Sequence, residues 1–555
     1  MKNIIKLFCM FLLVSTAKSF GVNEDHNKNV KFPLVLDMVH NNPGEAPYKS
    51  KFNDPKVLRN MGYNGKVYSL FESPTLAIDW RDLDKNIFPA DCPDKKWIEN
   101  KANEITVKYR DCHNDKMSTW AMSDLILFPK KLIEKYGIQD IFGNPQNDTI
   151  RKLLHTQIDE IFTQFPDLDG LVVRIGETYL HDAPYHLGRI DDKRNVEKTI
   201  IPLINLLRDE ICVKRNKMLI FRTWVTFDTN IDSYMKVSNA IEPHKNLIIG
   251  VKHCEGDFHR SNNFSKVIGL GRHKQIIEVQ CAREYEGKGA YPNYIANGVI
   301  NGFEEHKNLP YDIKSLKDFY QKKPELYAGV WTWSRGGGWN GPYITNEMWC
   351  DLNAWVVANW AKNPKMEEEI IFNQYAKEKL KLNPSDVKKF RELCLLSAQA
   401  VIRGKTTVEG DVSPWWSRDE GIGLPIINKD KTNIARFLSQ KDESIEKWNK
   451  IVSLAESIKW SDSKTKSFAV SSCYYGLYLY KIYRAVCNIT IAQKQNDTAA
   501  LRKWIKEYDN AWALYSNLPN KFDNVSTLYD KNFDRHMNSN AEREINKIKK
   551  ELGII

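Results

Sequence analysis

The pattern of hydrophobic and polar positions divides the chain into two parts. From residue 34 to about 333, short apolar runs alternate with longer amphipathic stretches. Short runs rich in β-branched and aromatic residues predict strands, and apolar positions spaced three and four apart predict helices. The predicted strands are Leu34–Val39, Lys66–Phe71, Met122–Phe128, Gly170–Ile175, Met218–Val225, Leu247–Lys252, Gln275–Cys281 and Tyr327–Trp333. Helical patterns between them are Thr149–Phe165, Val196–Ile211, Ile231–Ile241 and Ile313–Tyr320.

Eight strands that alternate with helices are typical of an α/β fold, the (β/α)8 TIM barrel. An open doubly wound sheet is the alternative. Its usual signature, a glycine-rich turn directly after the first strand, is missing from this sequence. The barrel is therefore the favoured architecture.

After about Asn363 the pattern is helical throughout. The predicted helices are Lys365–Leu382, Pro384–Gly404, Asp442–Ile458, Thr465–Gln493, Thr498–Asn517 and Ala541–Leu552. Proline and glycine cluster between them, as in the segment Glu420–Pro425. The sequence thus predicts a barrel domain at residues 20–363 and an all-helical C-terminal domain at residues 364–555.

The first residues have the composition of a targeting segment. Lys2 and Lys6 precede an apolar run from Leu7 to Val14, and Ala17-Lys18-Ser19 supplies small residues for a peptidase. We expect a signal peptide at residues 1–19, cleavage near Ser19 and export to the periplasm or the medium. No later run reaches the roughly 18 apolar residues of a membrane span, so none is expected.

Net charge and aromatic content indicate which classes of partner the protein is expected to bind. The formal net charge of +11 is spread along the chain without a run of five basic residues, so no nucleic-acid partner is expected. The chain has 16 Trp, 24 Tyr and 23 Phe. Aromatic faces are platforms for sugars, although most aromatic residues simply fill cores.

Cofactor and metal motifs are weak. Gly336-x-Gly338-x-x-Gly341 matches a dinucleotide fingerprint only formally, because it follows a late strand. There is no C-x-x-C and no H-E-x-x-H, so we expect neither a metal nor a cofactor. Cys92 and Cys112 flank a polar segment that we interpret as a loop, and they either pair in an oxidising compartment or remain buried thiols.

Candidate chemistry lies at the strand ends, because the active site of such a barrel forms at the C-terminal ends of its strands. Glu177, Asp257 and Glu284 follow the fourth, sixth and seventh strands, while Arg222 and Lys252 end the fifth and sixth. The candidate sugar-contacting residues are Trp224, Trp333, Trp339 and Asn340.

This set of carboxylates suits glycoside hydrolysis. That reaction needs one carboxylic acid to protonate the leaving oxygen and a second carboxylate for the water or the anomeric carbon. By the alternation of a strand, Glu278 lies on the face of Glu284 but deeper in the barrel. Glu286 is a weaker candidate, since it follows only if the strand continues.

Two segments resemble a known family. They read Val251-Lys252-x4-Asp257-Phe258 and Glu278-Val279-Gln280-x3-Glu284-Tyr285-x-Gly287. They are similar to the sixth and seventh strands of the family 67 glycoside hydrolases, inverting α-glucuronidases that act on glucuronoxylan fragments. The stretch from Trp339-Asn340-Gly341 through Asn353 to Asn359-Trp360 and Asn363-Pro364 resembles the passage from that family's barrel into its helical domain.

The resemblance implies a role for each residue. Glu177 matches the general acid, Asp257 and Glu284 match the carboxylates that activate water, and Arg222 and Lys252 match residues that bind the uronic carboxylate. It implies an inverting hydrolase that removes a terminal acidic sugar from an oligosaccharide or polysaccharide fragment. A second copy of the chain, bound through the helical domain, is the other expected partner.

Three alternatives stay open at this point. A retaining glycosidase on a neutral sugar would use Glu177 as acid/base and Glu278 or Glu284 as nucleophile. A catalytically silent carbohydrate-binding barrel would keep the fold without the reaction. Arg222 and Lys252 would, in a third interpretation, only neutralise the catalytic carboxylates.

Overall fold

The computed structural model describes residues 29–41, 48–175, 183–224, 226–228, 230–336, 341–410, 412–413, 421–428, 432–533 and 540–555. The predicted signal peptide lies outside these residues, so it stays a prediction. Glu177, Trp339 and Asn340 also lie outside the described residues.

Eight parallel strands close into a barrel, which confirms the predicted fold class. The strands are β1 (Leu34–His40), β2 (Gly65–Tyr68), β3 (Ser118–Asp124), β4 (Gly170–Arg174), β5 (Met218–Arg222), β6 (Leu247–Lys252), β7 (Lys274–Gln280) and β8 (Tyr327–Gly336). Each pairs with its neighbours in chain order, and β8 returns to pair with β1. Alternate side chains point inward, and Leu36, Met122, Ile220, Ile248 and Ile276 are among those that fill the interior.

The third strand was predicted too late in the chain. The structure has β3 at Ser118–Asp124, and the second half of the predicted range forms a separate short strand, Leu127–Pro129. That strand pairs antiparallel with His186–Gly188. One continuous buried segment therefore covers two elements, and the sequence pattern alone does not mark the break between them.

The helices of the barrel surround the strands. They are α1 (Pro55–Met61), α2 (Pro93–Asn114), α3 (Lys130–Tyr136), α4 (Asp148–Gln164), α5 (Ile201–Leu207), α6 (Ile231–Ala240), α7 (Ala296–Asn301), α8 (Leu316–Lys322) and α9 (Met348–Lys362). Helix α5 is flanked by π-helical turns at Val196–Ile200 and Arg208–Lys214.

The polar loop expected between Cys92 and Cys112 is wrong, because this segment is helix α2. Its buried positions Ile98, Ile105 and Cys112 recur every seven residues, a helical spacing hidden among lysines and glutamates. Cys92 caps one end of the helix and Cys112 lies in its last turns. Twenty residues of helix separate them by about 30 Å, far beyond disulfide reach. Both cysteines are free thiols.

The region after α9 is mainly helical, as predicted, but it also contains a short antiparallel strand pair, Val412–Ser413 with Ile426–Ile427, which the all-helical prediction did not include. Its helices are α10 (Glu368–Glu378), α11 (Pro384–Lys405), α12 (Ile434–Ser457), α13 (Ser463–Gln495), α14 (Thr498–Ser516), α15 (Leu518–Lys521) and α16 (Ala541–Glu551). Helix α13 packs along α12 and α14, and α11 packs along α12. Within the described parts of the chain, no helix combines the length and the apolar character that crossing a membrane requires.

The C-terminal helices contact the barrel on the side of the loops that follow β6 and β7. Arg260 of the barrel donates a hydrogen bond of 2.9 Å to the carbonyl of Ala398 in α11. Arg403, also in α11, pairs with Glu304 of the barrel. The ring of Tyr291 meets Trp448 of α12 edge to face. Buried polar and aromatic contacts thus fix the helical region against the loops of the barrel.

Candidate active site

The inward side chains at the C-terminal ends of the strands form the mouth of the barrel. They are Asp124 on β3, Arg174 on β4, Arg222 on β5, Lys252 on β6, Gln280 on β7 and Trp333 on β8. Glu278 lies one inward position below Gln280. Most of these residues are polar, whereas the inward side chains beneath them, apart from Glu278, are apolar. The change from apolar to polar marks the floor of the candidate site.

Arg222 is engaged by Glu278 at this floor. Its Nε and Nη2 each donate a hydrogen bond of 2.8 Å to the Glu278 carboxylate, and both side chains are 1% exposed. The guanidinium also lies 5.4 Å from the ring centroids of Trp331 and Trp333. Such a bidentate pair holds both groups rigidly and satisfies the carboxylate. Arg222 therefore neutralises a barrel carboxylate, which is one of the roles left open by the sequence.

A second buried ion pair adjoins the first and was not foreseen. Arg174 donates bonds of 2.7 and 2.8 Å to the two oxygens of Asp124. Both residues end neighbouring strands, and their side chains are nearly inaccessible. The position of Arg174 at a strand end was visible in the sequence, but its partner was not. The Arg174–Asp124 pair and the Arg222–Glu278 pair therefore each have no net charge.

Lys252 is enclosed at the end of β6. Its ammonium lies 3.1 Å from the ring centroid of Trp224, 3.3 Å from the carbonyl oxygen of Gly256 and 3.4 Å from Oδ1 of Asp257. A lysine ammonium has three protons, and the three contacts lie within the protein. The predicted sugar platform Trp224 thus covers a cation.

Asp257 is contacted from a second loop as well. The hydroxyl of Tyr285 donates a hydrogen bond of 3.0 Å to Oδ2 of Asp257. Tyr285 directly follows Glu284, whose backbone N–H donates a bond of 2.8 Å to Oε1 of Gln280. The loops after β6 and β7 therefore meet at Asp257, and the sequence candidates Asp257 and Glu284 lie on these two adjoining loops.

The carboxylate of Glu286 is held by hydrogen bonds within the protein. Its carboxylate accepts hydrogen bonds from the Arg283 side chain, the Arg260 backbone and the Asn293 amide. Burial raises its pKa, but the charge and hydrogen bonds of Arg283, with the charges of Arg260 and Lys405, lower the pKa to about 2. A carboxylate bonded on all sides within the protein is suited to holding the loop, not to exchanging protons.

Asp228 is a carboxyl group that sequence reasoning missed. It lies six residues beyond the end of β5 and is 8% exposed. Burial raises the pKa of Asp228 to about 6, against the opposing charges of Lys252 and Arg222. In the sequence, its position shortly after a strand end could have identified Asp228 as a candidate, as the same feature identified Asp257.

Trp333 forms one wall of the mouth. Its ring packs against His40, with centroids 4.8 Å apart, and meets Phe258 edge to face at 5.5 Å. Because Glu177, Trp339 and Asn340 lie outside the described residues, their places in the site stay predictions. Among the residues that are described, no three His, Cys, Asp or Glu side chains gather as metal ligands would.

No protein-family model and no curated protein matches the chain. Among solved structures, it is similar to a GH138 enzyme that targets the pectin rhamnogalacturonan II. The two are 14% identical with a TM-score of 0.53, over 94% of this chain and 68% of that one.

The chain is also similar to CpGH89 from Clostridium perfringens, solved with its substrate GlcNAc-α-1,4-galactose. Here the identity is 9% and the TM-score 0.52, over 87% of this chain and 54% of that one. At such identities the likeness establishes the fold.

Proposed function

We propose that the chain is a glycoside hydrolase that removes a terminal sugar from an oligosaccharide. One observation carries the proposal: Asp257 and the residue next to Glu284 meet through a hydrogen bond at the mouth of the barrel. This brings together two loops that each carry a candidate carboxylate. The similar solved structures are glycoside hydrolases, which supports the same reaction class.

The reaction assigns different tasks to the carboxyl groups. Glu177 would protonate the leaving oxygen, and Asp257 or Glu284 would take a proton from the attacking water. Asp257 accepts contacts on both oxygens, so its orientation is fixed before substrate arrives. A fixed carboxylate beside a water site avoids reorganisation during the reaction.

The finer proposal is an α-glucuronidase-like inverting enzyme acting on an acidic sugar. It rests on the resemblance of the segments around Lys252, Asp257 and Glu284 to that family. A uronate needs positive charge beside the catalytic carboxylates, since those carboxylates repel it. Of the two cations proposed to bind the uronate, Lys252 is the less tightly neutralised. Its contact with Asp257 is 3.4 Å long, whereas the bond from Arg222 to Glu278 is 2.8 Å long.

A neutral sugar is the second candidate substrate, and a specific observation favours it. Arg222 is neutralised by Glu278, and Lys252 is enclosed by Trp224, Gly256 and Asp257. With both proposed cations engaged, a sugar without charge meets no uncompensated repulsion. A retaining reaction on such a sugar is the mechanism that accompanies this candidate.

Paired substrates separate these candidates. We would compare release of the terminal sugar from uronides and from glycosides that differ only in a neutral C6 hydroxymethyl group. Faster cleavage of the uronide supports the acidic-sugar proposal, and equal or faster cleavage of the neutral partner supports the second candidate. Binding of both without release would leave a carbohydrate-binding barrel and refute hydrolysis.

Export and self-association are further parts of the proposal. The basic and apolar start of the chain supports secretion, and a mature protein beginning at Phe20 would agree with cleavage near Ser19. A cell-associated protein that keeps residues 1–19 would contradict it. Light scattering of the purified protein tests the proposed homodimer, since a monomer mass would refute it.

A further inference from the structure

We propose that Lys252, Tyr285 and Lys405 form a positioning network for Asp257 that reaches from the C-terminal helices into the active site. The inference rests on the proposed function, because it specifies how the candidate base is held. None of the three residues needs to touch the sugar. Each acts on Asp257 directly or through one neighbour.

The two oxygens of Asp257 have donors on different elements. Lys252, at the end of β6, lies 3.4 Å from Oδ1, and Tyr285, after β7, donates a bond of 3.0 Å to Oδ2. A carboxylate held at one oxygen can still rotate about its last torsion, which is soft. Contacts at both oxygens remove this freedom. The end of β6 and the loop after β7 therefore orient Asp257 together.

Tyr285 is itself fixed on two sides. Its ring stacks on His259 with centroids 4.1 Å apart. Burial lowers the pKa of His259 to about 3, so the imidazole stacks as a neutral ring at ordinary pH. The backbone carbonyl of Tyr285 accepts a hydrogen bond from the ammonium of Lys405. The hydroxyl that meets Asp257 therefore extends from an anchored residue.

Lys405 brings the helical region into this arrangement. It is the last residue of α11, and its side chain is buried against the barrel loop. The end of α11 is held by Lys441 of α12, whose ammonium donates to the carbonyls of Arg403 and Thr406. A charged group placed by two packed helices gives the loop a rigid support. This gives the C-terminal helices a role in the site.

The network gives Lys252 a positioning role, which competes with the uronate-binding role in the finer functional proposal, and the two roles predict different kinetics. The ring of Trp224 covers its ammonium at 3.1 Å, and the Gly256 carbonyl accepts a bond of 3.3 Å. With Asp257 as the third partner, the three donor directions are used inside the protein. A positioning role predicts that acidic and neutral substrates depend on Lys252 equally.

The test uses Tyr285→Phe, which deletes one hydroxyl and keeps the ring that stacks on His259. We expect kcat to fall about 10–100-fold while KM changes by less than about twofold, since the lost bond orients the catalytic carboxylate and does not contact the substrate. Lys405→Met should reduce kcat in the same direction with a similarly constant KM. Tyr311→Phe is the matched control, because the Tyr311 hydroxyl bonds the Phe264 carbonyl in the β6 loop without touching Asp257. It should keep wild-type kinetics.

A crystal structure of Tyr285→Phe gives a readout that needs no turnover. We expect the Asp257 carboxylate to occupy a second orientation there and a single one in Tyr311→Phe. A single, unchanged orientation in Tyr285→Phe would overturn the network. If the wild type cleaves no glycoside, the proposed function fails, and the crystal structure still decides the positioning.

Lys252→Met supplies the second kinetic measurement. Equal loss of kcat/KM on a uronide and on its neutral partner supports positioning. A loss confined to the uronide would mean that Lys252 binds the substrate, and it would overturn this part of the proposal.

Discussion

Arg222 and Glu278 form a bidentate ion pair that passes over β6 inside the barrel. The pair joins β5 to β7, with both bonds at 2.8 Å. The strand between them presents Gly250 at this level. A Cβ built there would lie 3.4 Å from Cγ of Arg222 and 3.6 Å from Oε1 of Glu278. At these distances a Cβ would make ordinary van der Waals contact with the pair, and its tightest contact would be with Cγ2 of Ile220 at 3.2 Å, so Gly250 lies directly against the pair.

We expect loss of one partner of this pair to destabilise the protein strongly. Arg222→Leu leaves the Glu278 carboxylate buried without its counterion, at a cost of about 3–5 kcal/mol. The double variant Arg222→Leu/Glu278→Leu removes both charges and should recover most of that loss. Thermal unfolding of the wild type, the single variants Arg222→Leu and Glu278→Leu, and the double variant measures the effect. A double variant as unstable as the sum of both single variants would contradict the coupling.

Asp228 should make stability depend on pH in a defined direction. Its pKa of about 6 in the fold exceeds the ordinary aspartate value of 3.8, so the folded state binds the proton more tightly. Stability from this group is therefore greatest at low pH and falls as pH rises from about 4 to 6. Asp228→Asn should be more stable than wild type by about 2–3 kcal/mol at pH 7.5, and nearly equal to it at pH 4.

Denaturant unfolding at these two pH values checks the Asp228 prediction. Asp232→Asn is the control, since Asp232 lies exposed in the first turn of α6 on the same segment. A difference between Asp228→Asn and wild type that is the same at both pH values would refute the raised pKa.

The general acid can be tested through the leaving group. Glu177→Gln should slow cleavage of unactivated substrates by about 10²–10⁴-fold, because no group then protonates the departing oxygen. An aryl glycoside with a good leaving group needs no proton and should lose much less. Cleavage rates of the variant and the wild type on both substrates test whether Glu177 is the general acid. Equal losses would remove Glu177 from this role.

We expect the carboxylate of Asp257 to be essential for catalysis and that of the nearby Glu255 to be dispensable. Asp257→Asn keeps the shape but cannot accept a proton, and we expect kcat to fall about 10²–10⁴-fold. Glu255→Gln is the matched control in the same loop, where Glu255 lies 3.5 Å from Lys266. Its kinetics should stay close to wild type. Comparable losses in both variants would indicate a general disturbance of the loop.

The sequence predicted the fold more completely than the contacts of the site. The strand predicted at Leu247–Lys252 has the same bounds in the structure, because polar residues mark both of its ends. The partner of Arg222 was not predictable. Periodicity shows that Arg222 points inward, but its pairing with Glu278 depends on the register of three strands and on Gly250. The sequence did not reveal helix α2 because its few buried apolar residues are separated by many charged ones.

Proton NMR of the first sugar released tests the central claim most directly. Hydrolysis in which Asp257 and Glu284 activate a water gives the inverted anomer as the first product. We expect that anomer from the wild type and none from the double variant Asp257→Asn/Glu284→Gln on the same timescale. A first product with retained configuration would contradict the water-activating role, and a wild type that releases no sugar would contradict the hydrolase itself.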